Sequence, residues 1–170
     1  MAENNKKSDR GFTIIELVVV LIIVSIIAGF AVPSSIGLYR RNQINTALAE
    51  LLGAIRETQR QAMRQSRICR IDIDTNTNLI TASPTSCLLT TRAIDNDVKL
   101  STNLPGGNPN ISFSSKGSTT KMGTIVLSSD STTYQKCFVI SLGLGIMRTG
   151  HYVENQLSSI SANNCKPTNN

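Results

Sequence analysis

Residues 11–33 read GFTIIELVVVLIIVSIIAGFAVP, an apolar run that contains a single charged residue, Glu16. As an α-helix, residues 12–32 would measure about 31 Å, which is the thickness of the hydrocarbon core of a bilayer. A secretory signal has a shorter apolar region, of about 7–15 residues, and a small-residue cleavage site after it. We therefore predict a membrane span that stays in the protein, preceded by the short polar segment 1–11.

Glu16 is the unexpected residue of this segment, because a carboxylate at the centre of a bilayer costs about 2.5–3.5 kcal/mol on insertion scales. Two explanations remain open. Glu16 lies about one helical turn after Phe12, so it could sit at the membrane interface, where the cost is small. Alternatively it is paired with a positive partner. A cut between Gly11 and Phe12 would create such a partner, the new N-terminal amine of a neighbouring subunit.

The segment GFTIIEL of residues 11–17, after a polar leader and before a long apolar helix, resembles the prepilin cleavage motif of type IV pilins and type II secretion pseudopilins. In that family a prepilin peptidase cuts after the glycine and methylates the new N-terminus. The resemblance implies cleavage after Gly11, N-methylation of Phe12 and a role in assembly for Glu16. It also implies a leader peptide at 1–11 and a transmembrane assembly helix at 12–33.

Residues 34–67 are predicted to form a second, amphipathic helix. Pro33 separates the two helices, because a proline lacks the amide hydrogen and breaks or kinks a helix. Apolar residues recur at helical spacing, namely Ile44, Leu48, Leu51, Ile55 and Ala62. The opposite side carries an arginine row, made of Arg56, Arg60, Arg64 and Arg67. We interpret this row as a solvated face, and contact with acidic subunits or with DNA phosphates is the alternative.

Residues 68–170 are predicted to form a β-rich head, one domain together with the amphipathic helix. Short alternating segments separated by turn residues predict strands. These are residues 68–74, 79–82, 98–101, 111–114, 124–128, 137–141 and 146–148. The predicted fold class is α+β, in which a long N-terminal membrane-spanning helix continues into a helix packed on a mainly antiparallel sheet.

The strand and glycine spacing of this head resembles the GspH/FimT/FimU group of minor pilins and pseudopilins. The matching residues are Ile111-Ser112-Phe113, Gly117, Ile125-Val126-Leu127, Phe138-Val139-Ile140-Ser141 and Gly145-Ile146-Met147-Arg148. The FimT branch binds DNA through a Gly-Arg-x-Arg motif near its C-terminus. Here the first arginine is replaced by Ile146, so Arg148 alone remains as a candidate DNA contact, and the DNA-uptake role ranks below the structural ones.

The four cysteines all follow the apolar segment, and an even number of cysteines in an exported domain favours disulfides. Three pairings exist, and we favour Cys69–Cys87, which would clamp a hairpin, with Cys137–Cys165, which would tie the tail to a central strand. Four reduced thiols in a cytosolic domain are the alternative. Disulfides place the leader in the cytoplasm and the head in the periplasm. The protein would then cross the inner membrane once before it enters a pilus or pseudopilus.

Nothing in the sequence indicates an enzyme, a cofactor or a metal site. The chain has a net charge of +6 and one histidine, His151, which we interpret as an ordinary surface residue. It lacks a glycine-rich phosphate loop and a nucleophile elbow. The carboxylate pairs Asp72/Asp74 and Asp95/Asp97 lack the ligand density of a calcium loop, and we assign them to the surface.

The predicted function is that of a FimU-like minor pilin, which primes assembly of the type IV pilus and links other minor pilins to the fibre. A GspH-like minor pseudopilin of type II secretion is the first alternative, and a FimT-like DNA-binding pilin is the second. The expected partners are other pilins or pseudopilins, the prepilin peptidase and the inner membrane.

Overall fold

The computed structural model describes residues 11–106, 109–153 and 159–167, with the backbone alone at residues 30–35. The chain divides into two units, Met1–Leu38 and Tyr39–Asn170. The leader predicted at residues 1–11 lies outside the described residues except for Gly11.

One α-helix, α1, runs from Ile14 to Arg64. Thr13 begins it, because its hydroxyl oxygen accepts a hydrogen bond from the backbone amide of Glu16 at 3.3 Å, as an N-cap residue does. Of the two outcomes expected at Pro33, the break does not occur. A proline removes one backbone donor, and the helix continues through this position.

Helix α1 ends because the chain turns into a left-handed conformation at Ser66, whose φ is 50°. The amide of Ser66 donates to the Met63 carbonyl at 3.4 Å, and the amide of Arg67 donates to the Ala62 carbonyl at 3.1 Å. This pair of bonds is the Schellman motif, which satisfies the last free carbonyls of a helix. The helix therefore stops at Arg64 and not at residue 67, where the sequence pattern had placed its end.

The described residues of the second unit form two antiparallel sheets where one was predicted. The four-stranded sheet has the order β3-β2-β1-β5 and the five-stranded sheet the order β4-β6-β7-β8-β9. The strands are β1 Cys69–Asp74, β2 Leu79–Ser83, β3 Arg92–Ala93, β4 Lys99–Thr102, β5 Asn110–Phe113, β6 Gly123–Ser129, β7 Thr132–Ile140, β8 Met147–Tyr152 and β9 Cys165–Pro167. Two short 3-10 helices, Thr85–Cys87 and Ala162–Asn164, lie in the connections.

The core of the second unit is built from its own residues. The apolar face of α1 predicted from the sequence is buried, and it packs in one cluster with side chains of both sheets, including the fully buried Phe113 and Phe138. A smaller cluster lies on the other face of the five-stranded sheet, where Val126, Tyr152 and the tail residue Cys165 meet. The five-stranded sheet is thus covered on one face by α1 and on the other by the C-terminal segment.

Two disulfides link β1 and β7 to other elements of the second unit, and they are the two pairs favoured from the sequence. Cys69–Cys87 joins β1 to the first 3-10 helix, and Cys137–Cys165 joins β7 to β9. All four sulfurs are oxidised in the structure. Each pair is buried, the first in the main cluster and the second in the smaller one.

Candidate functional site

The predicted cleavage site is sterically open. Among the described residues, no heavy atom other than those of Gly11 and its chain neighbours lies within 4 Å of the position that a Cβ would take at Gly11. Phe12 is 79% exposed, and α1 begins only at Ile14. The peptide bond after Gly11 therefore precedes the regular helix.

The backbone amide of Glu16 has a local partner, the Thr13 hydroxyl, which was not expected from the sequence. Thr13 and Glu16 occupy the N-cap and N3 positions of α1, the T-x-x-E spacing of a capping box, and that spacing was visible in the sequence. A carboxylate in the first turn also interacts favourably with the helix dipole. Glu16 is exposed in the isolated chain, so its charge is open to a partner from outside as well.

The apolar residues after Glu16 are exposed in the part of the chain that the structure describes. Every large aliphatic side chain from Leu17 to Ile27 is between 43% and 62% exposed. Among the helices whose side chains are described, none is both long enough and apolar enough to cross a membrane.

The arginine row is exposed along its whole length. Arg60 interacts electrostatically with Glu57. Within the described part of the chain, none of the four arginines of the row forms an ion pair. Arg148 lies apart from the row in sequence and element, on β8, where it is exposed and donates from Nη2 to the Ala162 carbonyl at 2.9 Å. This bond ties Arg148 to the C-terminal segment.

Ion pairs between Arg92 of β3 and two glutamates of α1 hold the strand against the helix. No pattern in the sequence indicated these pairs. Arg92 donates from Nη1 to Glu50 at 2.8 Å and from Nη2 to Glu57 at 2.9 Å. The other oxygen of Glu57 accepts the amide of Leu89 at 2.9 Å. Partial burial acts to raise the pKa of Glu57, but the Leu89 amide, Arg92 and Arg60 together hold that pKa below its usual value. Gly53 leaves room for the guanidinium, which would be 3.4 Å from a Cβ at that position.

The two carboxylate pairs assigned to the surface have structural partners. Asp97 pairs with Arg40, and Asp95 accepts a hydrogen bond from Gln43 at 2.9 Å, so both fasten their loop to α1. Asp74 caps the turn after β1 by accepting hydrogen bonds from the amides of residues 76 and 77. The Thr77 hydroxyl, and next these two amides, lower the pKa of the Asp74 carboxyl. Among the described residues no three His, Cys, Asp or Glu side chains are grouped as metal ligands would be.

His151 is half-buried on β8. Its ring meets the ring of Tyr134 edge-on, with 5.2 Å between centroids, and its Nε2 lies 3.2 Å from the Nζ of Lys136. Burial, and next the positive charge of Lys136, lower the pKa of His151. The imidazole is therefore neutral at neutral pH, and its Nε2 accepts a hydrogen bond from the Lys136 ammonium.

An exposed glycine, Gly11, is followed by an apolar helix that Thr13 caps. This helix continues into one that packs on antiparallel sheets. The combination is typical of the class of type IV pilin-like proteins. Residues 6–32 match the prokaryotic N-terminal methylation motif. Residues 47–144 match the model of the type II transport protein GspH. The chain belongs to the GspH family, because that match covers more than half of it.

Two solved structures share the fold. The type IV minor pilin FimU of Pseudomonas aeruginosa is 14% identical, with a TM-score of 0.53 over 64% of this chain and 88% of that one. The minor pseudopilin EpsH of the Vibrio cholerae type 2 secretion system is 13% identical, with a TM-score of 0.52 over 66% and 99%. No curated protein sequence matches the chain.

These matches define the general role of the protein. It is a pilin-like protein of the group that contains the minor pilins of type IV pili and the minor pseudopilins of type II secretion. Its relatives are structural subunits and not enzymes. The methylation motif implies a membrane-anchored precursor that is processed before assembly.

Proposed function

We propose that this protein is a minor pilin of the type IV pilus, similar in role to FimU, which helps prime filament assembly and links other minor pilins to the fibre. The observation that carries the proposal is the exposed apolar surface of residues 17–27 directly behind a processing motif. Burying each of these valine, leucine or isoleucine side chains is worth about 1.5–3 kcal/mol. Such a surface requires a bilayer before assembly and the helices of other subunits afterwards.

The two ends of the N-terminal motif act together in this proposal. Cleavage after Gly11 leaves Phe12 with a new, methylated amine, four residues ahead of Glu16 in the first turn of α1. In a filament, the amine of one subunit neutralises the Glu16 carboxylate of its neighbour, so that neither charge is buried alone. The capping role of Thr13 keeps Glu16 in a fixed place at the helix start.

The location follows from the same features. Before assembly, the protein crosses the inner membrane once through residues 12–33, with residues 1–11 in the cytoplasm. The head, made of residues 34–67 and 68–170, lies in the periplasm, where the two disulfides are stable against reduction. The prepilin peptidase and other pilins are its partners at successive stages.

A second candidate is a minor pseudopilin of type II secretion. It is favoured by one specific observation, the match of residues 47–144 to a family described as a type II transport protein. The two candidates share the processing and assembly steps, and they differ in the filament that incorporates the subunit.

Deletion of the gene separates the two. If the protein is a minor pilin, deletion should abolish surface pili and twitching and leave the secretion of exoproteins unchanged. If it is a pseudopilin, we expect the reverse. Restoring the wild-type protein should restore the lost property, and Glu16→Ala should not. Glu16→Gln is the matched control for capping, because glutamine at N3 also suits a capping box but carries no charge. Failure of both variants assigns the loss to the charge, and rescue by Glu16→Gln would contradict the ion-pair account.

A further inference from the structure

Three basic residues lie side by side on three neighbouring strands of the five-stranded sheet. Lys136 on β7 is directly opposite His151 on β8, and His151 is directly opposite Lys166 on β9. Directly opposed residues share one face of a sheet, and neighbouring strands are about 4.8 Å apart. The three side chains therefore form a Lys–His–Lys row about 10 Å long.

A fourth basic residue, Arg41, joins the row from helix α1. The Tyr134 ring is close to two cations, the guanidinium of Arg41 at 5.5 Å from its centroid and the ammonium of Lys136 at 5.6 Å from it. The Tyr134 hydroxyl donates to the side-chain oxygen of Asn45 at 3.0 Å, which fixes the ring against the helix. In the described parts of the chain, no carboxylate forms an ion pair with any of these four basic residues.

With a protonated His151 this arrangement would be electrostatically unfavourable when nothing is bound. Like charges directly opposite each other on neighbouring strands destabilise a sheet. The charged groups that face His151 are Lys136 on β7, Lys166 on β9 and, through Tyr134, Arg41 on α1. The row avoids a third charge by keeping His151 neutral. An anion above the row would remove the repulsion and would favour the protonated imidazole.

We propose that Arg41, Lys136, His151 and Lys166 form an oxyanion-binding site that accepts a carboxylate from an acidic segment of an adjoining subunit. The proposal rests on the proposed function in one respect, the source of the carboxylate. Charge complementarity selects an acidic partner. His151 and Lys136 are half-buried and close enough together for one carboxylate side chain to contact both. The Tyr134 ring is already in contact with two cations, so it does not serve as a stacking platform for bases.

The site can be tested directly, because His151 is the only histidine of the chain. In the full-length protein, kept in a non-ionic detergent and labelled at histidine, the NMR shift of the imidazole against pH gives one pKa. Tetraglutamate should raise the pKa of His151 saturably. A rise of one unit would mean about tenfold tighter binding to the protonated form. Binding should accordingly tighten as the pH falls toward the pKa.

Matched variants locate the effect. Lys166→Gln and Lys136→Gln should each abolish the saturable rise. Lys136→Gln should also raise the starting pKa, since it removes a positive charge beside the ring. Lys121→Gln, whose ammonium instead donates to the Pro105 carbonyl, should leave the rise unchanged.

Three results would overturn the proposal. Sodium chloride at matched ionic strength could raise the pKa as much as tetraglutamate does, which would mean charge screening only. Inorganic phosphate or a short DNA duplex could raise it where tetraglutamate does not, which would make the site one for phosphate. The rise could also persist in both lysine variants. None of these measurements needs a filament, so their failure would leave the deletion experiment on pilus assembly unaffected.

Discussion

Gly150 on β8 lies so close to Lys166 on β9 that a Cβ added to the glycine would overlap the carbonyl oxygen of Lys166. Hydrogen bonding between these strands pairs Gly150 with Pro167 and Tyr152 with Cys165. The last strand of the sheet is three residues long, and it is held by this close approach and by the disulfide to β7. The glycine is therefore a requirement of the tail's position.

Gly150→Ala should loosen the C-terminal strand. The added methyl group must displace backbone, and overpacking of this kind costs about 1–3 kcal/mol. The expected result is a lower midpoint of thermal unfolding and faster hydrogen exchange at Cys165 and Lys166 than in the wild type. Thr149→Ala, one residue away on the same strand, is the control and should leave that exchange unchanged. Equal exchange in wild type and Gly150→Ala would show that the strand is not held by this contact.

The two disulfides should contribute similarly to stability. They close loops with sequence separations of 18 and 28 residues, and the loop-entropy relation gives about 3 kcal/mol for each. We expect Cys69→Ala/Cys87→Ala and Cys137→Ala/Cys165→Ala each to lower the free energy of unfolding by that amount in denaturant titrations. Only the second double variant should also release β9, seen as faster exchange at Lys166. A variant pair that unfolds like the oxidised wild type would refute this account for its disulfide.

The elements with a clear local pattern were predictable from the sequence. The helix, its apolar face and most strands were anticipated because a helix repeats every 3.6 residues and a half-buried strand every two. The strand that begins at Cys69 alternates buried and less buried residues as its sequence alternates apolar and polar ones. Strand β3, with two residues, and β9, with three, are too short to show a period.

The features that depend on distant residues were not predictable. The alternation along β1 does not reveal that Cys69 pairs with Phe113 in β5, and that long-range pairing divides the strands into two sheets. The link from Arg92 to Glu50 and Glu57 crosses about forty residues of chain. The Lys–His–Lys row likewise arises only from the registers of three strands. In contrast, the capping box at Thr13 is local, and its spacing could have been recognised.

Replacing Arg92 should lower the free energy of unfolding, and this loss relative to the wild type should be larger at neutral pH than in acid. In Arg92→Gln the mostly buried Glu57 loses its cation, and removal of a charged hydrogen-bond partner costs about 1–3 kcal/mol. The folded pKa of Glu57 lies below its unfolded value, so its stabilising contribution is complete above about pH 4.5 and is lost as the pH falls through the folded pKa. The difference between variant and wild type should therefore shrink below about pH 4.5.

Urea titrations at pH 7 and pH 3.5 measure this difference. Arg70→Gln is the control, because its ion pair with Asp72 at 3.3 Å is more exposed and should contribute between about 0 and 1 kcal/mol at either pH. If the cost of Arg92→Gln is the same at both pH values, the contribution of Arg92 comes from packing and not from its charge pair with Glu57.

Processing after Gly11 is expected in cells with an active prepilin peptidase. The mass of the membrane-extracted protein should correspond to a chain that begins at a methylated Phe12. Gly11→Leu should block the cut, because a small residue must fit the peptidase site, and the full-length chain should accumulate. Gly29→Leu, in the apolar helix, is the control and should be processed normally. A wild-type chain that retains Met1 in such cells would rule out this site.

The arginine row decides between a filament subunit and a DNA receptor. From residue 40 onward the chain carries 14 basic against 8 acidic residues, and all four arginines of the row are exposed. If each of them neutralised one phosphate, the log–log dependence of affinity on salt would have a slope of about −3.6. We expect weak, non-specific binding of the full-length protein to duplex DNA, with a dissociation constant above about 10⁻⁶ M at physiological salt. Arg60→Gln/Arg64→Gln should reduce the slope by about 1.8 units.

Arg148→Ala should leave both the affinity and the slope unchanged, because the Arg148 guanidinium is engaged with the Ala162 carbonyl. Arg148→Lys is its matched control, since it keeps the positive charge while changing that bond. Binding tighter than about 10⁻⁶ M that is lost in Arg148→Ala and kept in Arg148→Lys would reverse the ranking. Arg148 would then contact phosphates directly, and the DNA-uptake role would stand ahead of the structural one.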